Sequence, residues 1–324
     1  MPRQLGWLAV YKVCWDTGGC AEAHLLAAFD DAIFDGVDLL SISLGSPPPL
    51  ATYVEDAVAF GSFHAVAKGI SVICSAGNSG PFPQTVINTA PWVVTVAAST
   101  IDRAFPTIIT LGNNQTIVGQ ALFTGKNVDT FHPIVYGEYS VADNSYEGSA
   151  RSCDSGSLNA TLARGKFPAK GVTLSLDIPS IQVDFAIETY PLTYMEASRN
   201  PVVKFSFTET VIGQQISPEI AFFSSRGPSS FSPTVLKPDI AAPGVNILAS
   251  WSPAASPAII DNEILPMDFK IESGTTMSCP HLSGIVALLK ATHPTWSPAA
   301  IKSALITNLL ISDNFLFNFS EPKN

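Results

Sequence analysis

A few hydroxyls, imidazoles and thiols and one acidic turn are the groups in this sequence able to serve as nucleophile, base or ligand. Thr276 and Ser278 stand at the start of a predicted helix, within Gly274-Thr275-Thr276-Met277-Ser278-Cys279-Pro280-His281. A threonine hydroxyl can act as a nucleophile when a nearby base takes its proton. Its extra methyl restricts the first side-chain torsion and crowds the approach of a substrate carbonyl. Ser278 lies two positions further on, about 200° around a helix, and is read as a packing residue. The five histidines are the candidate bases, and each has a plain place. His24 and His64 fall in predicted helices, His132 in an irregular stretch, and His281 and His293 around the helix that follows Thr276. Five cysteines, Cys14, Cys20, Cys74, Cys153 and Cys279, fit no metal-ligand spacing, so neither a metal nor a cofactor is expected. Their odd number leaves at least one unpaired, and most are expected to be buried free thiols.

The helices and strands that carry these groups follow from the apolar pattern. Leu8 to Val13 is an apolar run of strand length, and Ala21 to Phe34 places Leu25, Phe29 and Ile33 on one helix face. Gly36 stands where that helix stops, and Val37 to Leu44 is the next strand. A helix near Glu55 to Lys68, a strand Ile70 to Cys74 and a strand Trp92 to Ala97 repeat the rhythm. Crossovers of this length imply parallel pairing. The predicted fold class is therefore α/β, a doubly wound and mostly parallel sheet with helices on both faces. Lys126 to Asn200 breaks the pattern and is read as a loop-rich insertion. The alternation resumes with strands at Val202 to Phe207 and Glu219 to Phe223. It ends in helices at Thr276 to Ala291 and Pro298 to Thr307, the latter capped by Ser297 with Pro298 in its first turn. Ligands of such sheets bind outside the carboxyl ends of the strands. Leu44-Gly45 and Ala76-Gly77-Asn78 lie there, although Asn78 taken alone is an asparagine that tolerates a tight glycine-rich turn.

Composition narrows the partners. The 324 residues are 46% hydrophobic, enough for a sizeable core, and only 14% charged. A net charge of −10 repels phosphate backbones and anionic lipid, so nucleic acid is not an expected partner. No apolar run reaches the roughly 18 residues that a membrane span needs. Lys12 interrupts the run from Leu5 to Tyr11, so a secretory signal is not expected there. Asn114, Asn159 and Asn318 each begin an Asn-X-Ser/Thr triplet and are candidate glycan acceptors.

Four segments in order resemble the subtilase family of serine peptidases, its plant branch in particular. They are Val10-Tyr11-Lys12-Val13-Cys14-Trp15, Ser75-Ala76-Gly77-Asn78-Ser79-Gly80-Pro81, Phe223-Ser224-Ser225-Arg226-Gly227-Pro228, and Gly274 through His281. The resemblance covers roughly residues 5 to 307. It implies an extended peptide or protein substrate, an extracellular setting, and Asn78 as the side-chain donor to the oxyanion. It also implies that Ser43-Leu44-Gly45 and Ser75-Ala76-Gly77 form the two walls of the peptide cleft. The family reads Gly-Thr-Ser-Met where this chain reads Gly274-Thr275-Thr276-Met277, so Thr276 occupies the nucleophile position. The family's His-Gly-Thr motif is absent from this sequence, and its catalytic Asp and His precede the segment matched to Leu8 to Val13. Asp16-Thr17-Gly18 imitates the catalytic Asp signature but falls where the family has a surface turn, and is read as a decoy. The expected organisation is a first catalytic part over 1–125 and a shortened protease-associated insertion over 126–200. A second catalytic part over 201–307 and a divergent tail over 308–324 complete it. The expected activity is none, in a dead fragment, with a peptide-binding pseudoprotease and an active enzyme completed by further N-terminal sequence as alternatives.

Overall fold

The computed structural model describes residues 6–15, 19–120, 130–134, 185–213, 217–252, 258–260, 263–265 and 268–307. They fall into two compact units. The first comprises Met1–Ala98, Ser224–Ala242 and Ser278–Asn324, and the second Ser99–Phe223 and Pro243–Met277.

In the first unit, α1 (Glu22–Asp35), β1 (Leu39–Ile42), α2 (Ala57–Ala67), β2 (Ser71–Ser75) and β3 (Val94–Ser99) follow the predicted alternation. Asp56 caps α2 by accepting from the Val58 and Ala59 amides, a favourable start for a helix. Strands β1 and β2, and β2 and β3, pair in parallel. A later strand, β10 (Ile240–Pro243), completes the order β1-β2-β3-β10. Every residue of β2 is buried, because both faces of the sheet are covered. Ile73 joins the cluster with Leu282 and Val286 of a helix at Thr275–Thr292 and with Ile301 of a helix at Pro298–Thr307. Its neighbours Val72 and Cys74 point the other way, into a cluster with Phe29 of α1 and Val58 of α2. The Ser297 hydroxyl accepts from the Ala300 amide at 3.2 Å, the cap expected for the last helix.

A buried charge cluster ties this unit together. The Lys237 ammonium donates to the Val93 carbonyl at 2.9 Å, the Thr95 hydroxyl at 2.9 Å and the Asp239 carboxylate at 2.5 Å. Asp239 also accepts from the Thr95 amide at 2.8 Å and pairs with Lys302 at 2.8 Å. Burial pulls the Lys237 amine down to about 8, against the opposing pull of Asp239.

The second unit is antiparallel where its strands pair. Its main sheet has the order β6-β5-β8-β7, from β5 (Pro106–Leu111), β6 (Thr116–Gln120), β7 (His132–Pro133) and β8 (Val202–Phe205). Smaller pairs are β4 (Arg103–Ala104) with β9 (Val211–Ile212), β11 (Ile247–Ser250) with β14 (Phe269–Glu272), and β12 (Ala258–Ile260) with β13 (Glu263–Leu265). Its core gathers Ile109, Leu111, Ile134, Tyr194, Val203 and Phe205.

Five expectations are corrected. Leu8–Val13 forms no strand: Trp7, Leu8 and Val10 are exposed, and no described strand offers them backbone partners. Val202–Phe205 lies in the antiparallel sheet, where only alternate residues are buried. Glu219–Phe223 makes only the isolated bridge Ser99↔Ile220, too short to propagate as a strand. A helix, α3 (Phe185–Ala197), lies inside the stretch read as loop-rich, held by Tyr194, whose hydroxyl accepts from the Val202 amide at 3.1 Å. Cys14 and Cys20 form a disulfide, brought together by the paired backbones of Trp15 and Gly19. Cys74 and Cys279 are the free, buried thiols expected. Asp16-Thr17-Gly18, Cys153, the 308–324 tail and most of the 126–200 stretch lie outside the described residues.

Removing one member of a buried ion pair typically costs about 3–5 kcal/mol, so Asp239→Asn should lower the urea unfolding free energy by that order. A loss below about 1 kcal/mol, the level of a surface pair, would refute the clamp. Free lysine titrates near about 10.4, above the folded value, so between these two pH values the unfolded chain holds more protons. Stability from this group therefore rises as pH climbs from about 8. Lys237→Met should flatten that rise in unfolding curves taken across the range.

Candidate active site

The parallel register of β1 and β2, ending at Ile42↔Cys74, delivers Ser43-Leu44-Gly45 and Ser75-Ala76-Gly77 side by side. Both segments therefore leave the sheet at the carboxyl ends of neighbouring strands. Asn88 joins them. Its side-chain amide donates to the Leu44 carbonyl at 2.9 Å and to the Ser75 carbonyl at 2.8 Å, from a site only 6% exposed. The Asn88 backbone is left-handed, at φ 54°, a conformation that asparagine tolerates better than most residues.

The second wall is fixed on every side. The Ala76 amide donates to Val96, the Ala76 carbonyl accepts from Ile87, and the Gly77 carbonyl accepts from Ser225. The Ser225 hydroxyl then accepts from the Ser79 amide at 3.0 Å, closing the turn that carries Asn78. Gly77 has φ 96°, and a Cβ there would stand 2.9 Å from the Ser225 hydroxyl. A Cβ on Gly45 would stand 2.8 Å from Ile87 Cδ1, so the space between the two glycine segments is filled by Ile87 and Asn88. Asn78 itself is exposed at the end of this turn.

Thr276 lies in the first turn of α4 (Thr275–Thr292), half-buried, after a Gly274 whose amide donates to Gly244 at 2.8 Å. Ser278 is buried, in keeping with a packing role. Further along α4, the Cys279 thiol meets the Ile73 carbonyl at 3.4 Å, and the Ser283 hydroxyl donates to Ser41 at 2.8 Å. These bonds seat the helix on β1 and β2. Burial raises the Cys279 thiol and raises Cys74 further, so neither supplies a thiolate nucleophile.

The histidines are dispersed. His24 packs on Trp15 at 4.4 Å, His64 on Phe60 at 4.9 Å, and His293 stacks on Trp296 at 3.9 Å. His132 bonds the Thr130 hydroxyl at 2.8 Å. His281 follows Thr276 by five helical positions, about 140° around the axis. Among the described residues, no group of three His, Cys, Asp or Glu could hold a metal ion, and no helix is long and apolar enough to cross a membrane.

The subtilase family model matches residues 7–320 of this sequence. The chain belongs to the subtilase family. Subtilisin-like protease SBT3.2 of Arabidopsis thaliana is 45% identical over 344 aligned residues, covering 94% of this chain and 46% of that protein. Subtilisin-like protease SBT3.9 of the same plant is also 45% identical, covering 94% of this chain and 42% of that protein. The chain thus spans less than half the length of these relatives. Among solved structures, Sphericase is similar at 18% identity and a TM-score of 0.43, covering 91% of this chain and 57% of that one.

Two residues of the site were not singled out from the sequence: Asn88 and Ser225. Ser225 lay in a family segment, but its use as a brace under Gly77 needs a partner 146 residues away at Ser79. Asn88 gives no local signal at all. Asn88→Ala removes both donor bonds and leaves the Leu44 and Ser75 carbonyls unsatisfied, which should cost about 2–4 kcal/mol. Asn88→Asp should cost more above its carboxyl pKa, since a carboxylate would face the same two carbonyls. Urea unfolding of both variants at neutral pH tests the clamp, and wild-type stability in either would show that it is idle.

Proposed function

We propose that this subtilase chain does not cleave peptide bonds, and that its cleft binds extended peptides weakly or not at all. The observation that carries the proposal is Thr276 in the first turn of α4, where the family places its serine nucleophile. Its methyl crowds the approach of the carbonyl, and the hydroxyl needs a base. The aromatic contacts of His24, His64 and His293 and the Thr130 bond of His132 suit packing and local structure better than proton transfer. In subtilisin, the measured case for such losses, removing the Ser or the His alone lowers turnover by about a millionfold.

Asn78 keeps the oxyanion position in this proposal. A donor of that kind stabilises a transition state by about 3–4 kcal/mol, but only after a nucleophile has attacked. Peptide pairing along Ser43-Leu44-Gly45 and Ser75-Ala76-Gly77 is weakened because the Leu44, Ser75, Ala76 and Gly77 carbonyls already accept bonds from Asn88, Ile87 and Ser225. Extracellular residence and glycosylation are proposed from the plant relatives and the three sequons.

A second reading is favoured by length. The aligned region is under half of the relatives, so an Asp and His from further sequence could complete an active endopeptidase. Sequencing the 5′ end of the transcript separates the two.

The 324-residue protein is expected to release no product from a mixed peptide-amide library, and Thr276→Ser is expected to stay equally inert. Turnover by Thr276→Ser alone would show that a base is present and overturn the reading. Gly45→Val should abolish whatever peptide binding calorimetry detects; micromolar affinity in the unmodified protein would instead mark a dedicated peptide-binding protein.

A further inference from the structure

We propose that two copies of this chain pair by reciprocal strand exchange, the segment from Trp7 to Val10 of each lying antiparallel along the open edge of β1 in the other. Two features of the parallel unit carry this. The first is the edge itself. In the order β1-β2-β3-β10, β1 has a neighbour on one side only among the described residues. The Asp38 carbonyl, just before β1, accepts from the Ser71 amide of β2. Backbone groups alternate in direction along a strand, so Leu40 and Ile42 also turn theirs toward β2, and the amides and carbonyls of Leu39 and Ser41 face outward. Such an edge is a template for another chain. Its apolar side chains are unfinished as well: Leu39 packs on the cluster beneath α4, and Leu40 and Ile42 on the cluster beneath α1 and α2, yet all three are only half-buried.

The second feature is a strand-forming run with no ladder. Trp7, Leu8 and Val10 are 100%, 90% and 82% exposed, although tryptophan and valine favour strands. The run has a fixed base. The Tyr11 hydroxyl donates to Asp35 at the end of α1 at 2.7 Å, and the Cys14–Cys20 disulfide follows. Residues 7–10 are therefore presented as four extended positions, the length of β1. Charge chooses the direction. Antiparallel pairing of Val10 with Leu39 and Trp7 with Ile42 brings the exposed Lys12 toward the exposed Asp38, whereas parallel pairing carries Lys12 past the end of the strand.

The area involved points to a closed pair. Burying Trp7 removes about 150–250 Å² from water, and Leu8 and Val10 each roughly 60–120 Å². With the matching surface that each segment covers on its partner, the reciprocal pair buries about 1,100–2,000 Å², the size of a stable dimer. A one-way contact buries about half of that and falls among weak encounters, so the exchange closes about a two-fold axis. This inference stands whether or not the cleft binds peptide.

The test combines light scattering and amide hydrogen exchange on the purified, oxidised 324-residue protein over a dilution series. The expected mass is twice the 34.3 kDa of the chain, falling to the monomer on dilution. Exchange at Leu39 and Ser41 should be at least about tenfold slower in the dimer than in the dilute monomer. The double variant Leu8→Asp/Val10→Asp should be monomeric throughout and keep the fast exchange at β1. Both positions are exposed in the single copy, so its circular dichroism and urea unfolding should match those of the wild-type monomer. A wild type that stays monomeric, or a dimer that persists in the double variant or leaves β1 exchange unchanged, overturns the proposal. Slow exchange at Leu39 and Ser41 in the monomer would show that another stretch of the same chain occupies the edge, and open-ended assemblies would show that the exchange does not close; either result also overturns it.

Discussion

Asp239 gives one carboxylate oxygen to Lys237 and the Thr95 amide and the other to Lys302, and the parallel unit depends on that placement. Thr95 fixes β3 and Lys302 fixes the last helix, while Lys237 reaches back to the Val93 carbonyl. Because β2 lies between β1 and β3, the line of its exit is set by its neighbours on both sides. The glycine turn at its end, with Asn78, inherits that line. Two ammonium groups around one carboxylate leave the cluster cationic. Burial first, and the neighbouring Lys302 ammonium after it, pull the Lys237 amine down to about 8 against the pull of Asp239, and loss of the carboxylate would strand a buried charge.

The groups that shape the cleft are separate from those that would do chemistry. Asn88 spans the two walls, Ser225 braces the Gly77 turn, and Cys279 and Ser283 seat α4 on the sheet. These bonds do not run through residue 276. A serine-to-threonine change at that position therefore leaves these bonds in place, so the proposed loss of turnover is compatible with an intact scaffold.

What could be read from the sequence was what local periodicity controls. The helices at Glu22–Asp35 and Pro298–Thr307 and the buried run of β2 carry their own signal, because 3.6-residue spacing and unbroken apolar runs follow from which faces are covered. Val202–Phe205 misled because a short apolar run does not reveal the direction of its partner, and Leu8–Val13 because β-propensity without a partner strand forms no ladder. The Cys14–Cys20 bridge depended on a backbone pairing of Trp15 with Gly19 that cysteine counting does not see. At the proposed site, Asn78 and Thr276 are assigned by resemblance to the family pattern alone. Asn88 was missed because its bond to Leu44 crosses 44 residues of chain.

Active-site labelling tests whether residue 276 acts as a nucleophile in this protein. The purified 324-residue protein would be incubated with a fluorophosphonate, and its intact mass and peptide map recorded. The account predicts an unchanged mass in both the wild type and Thr276→Ser. Stoichiometric phosphonylation located on residue 276 of either protein would contradict it.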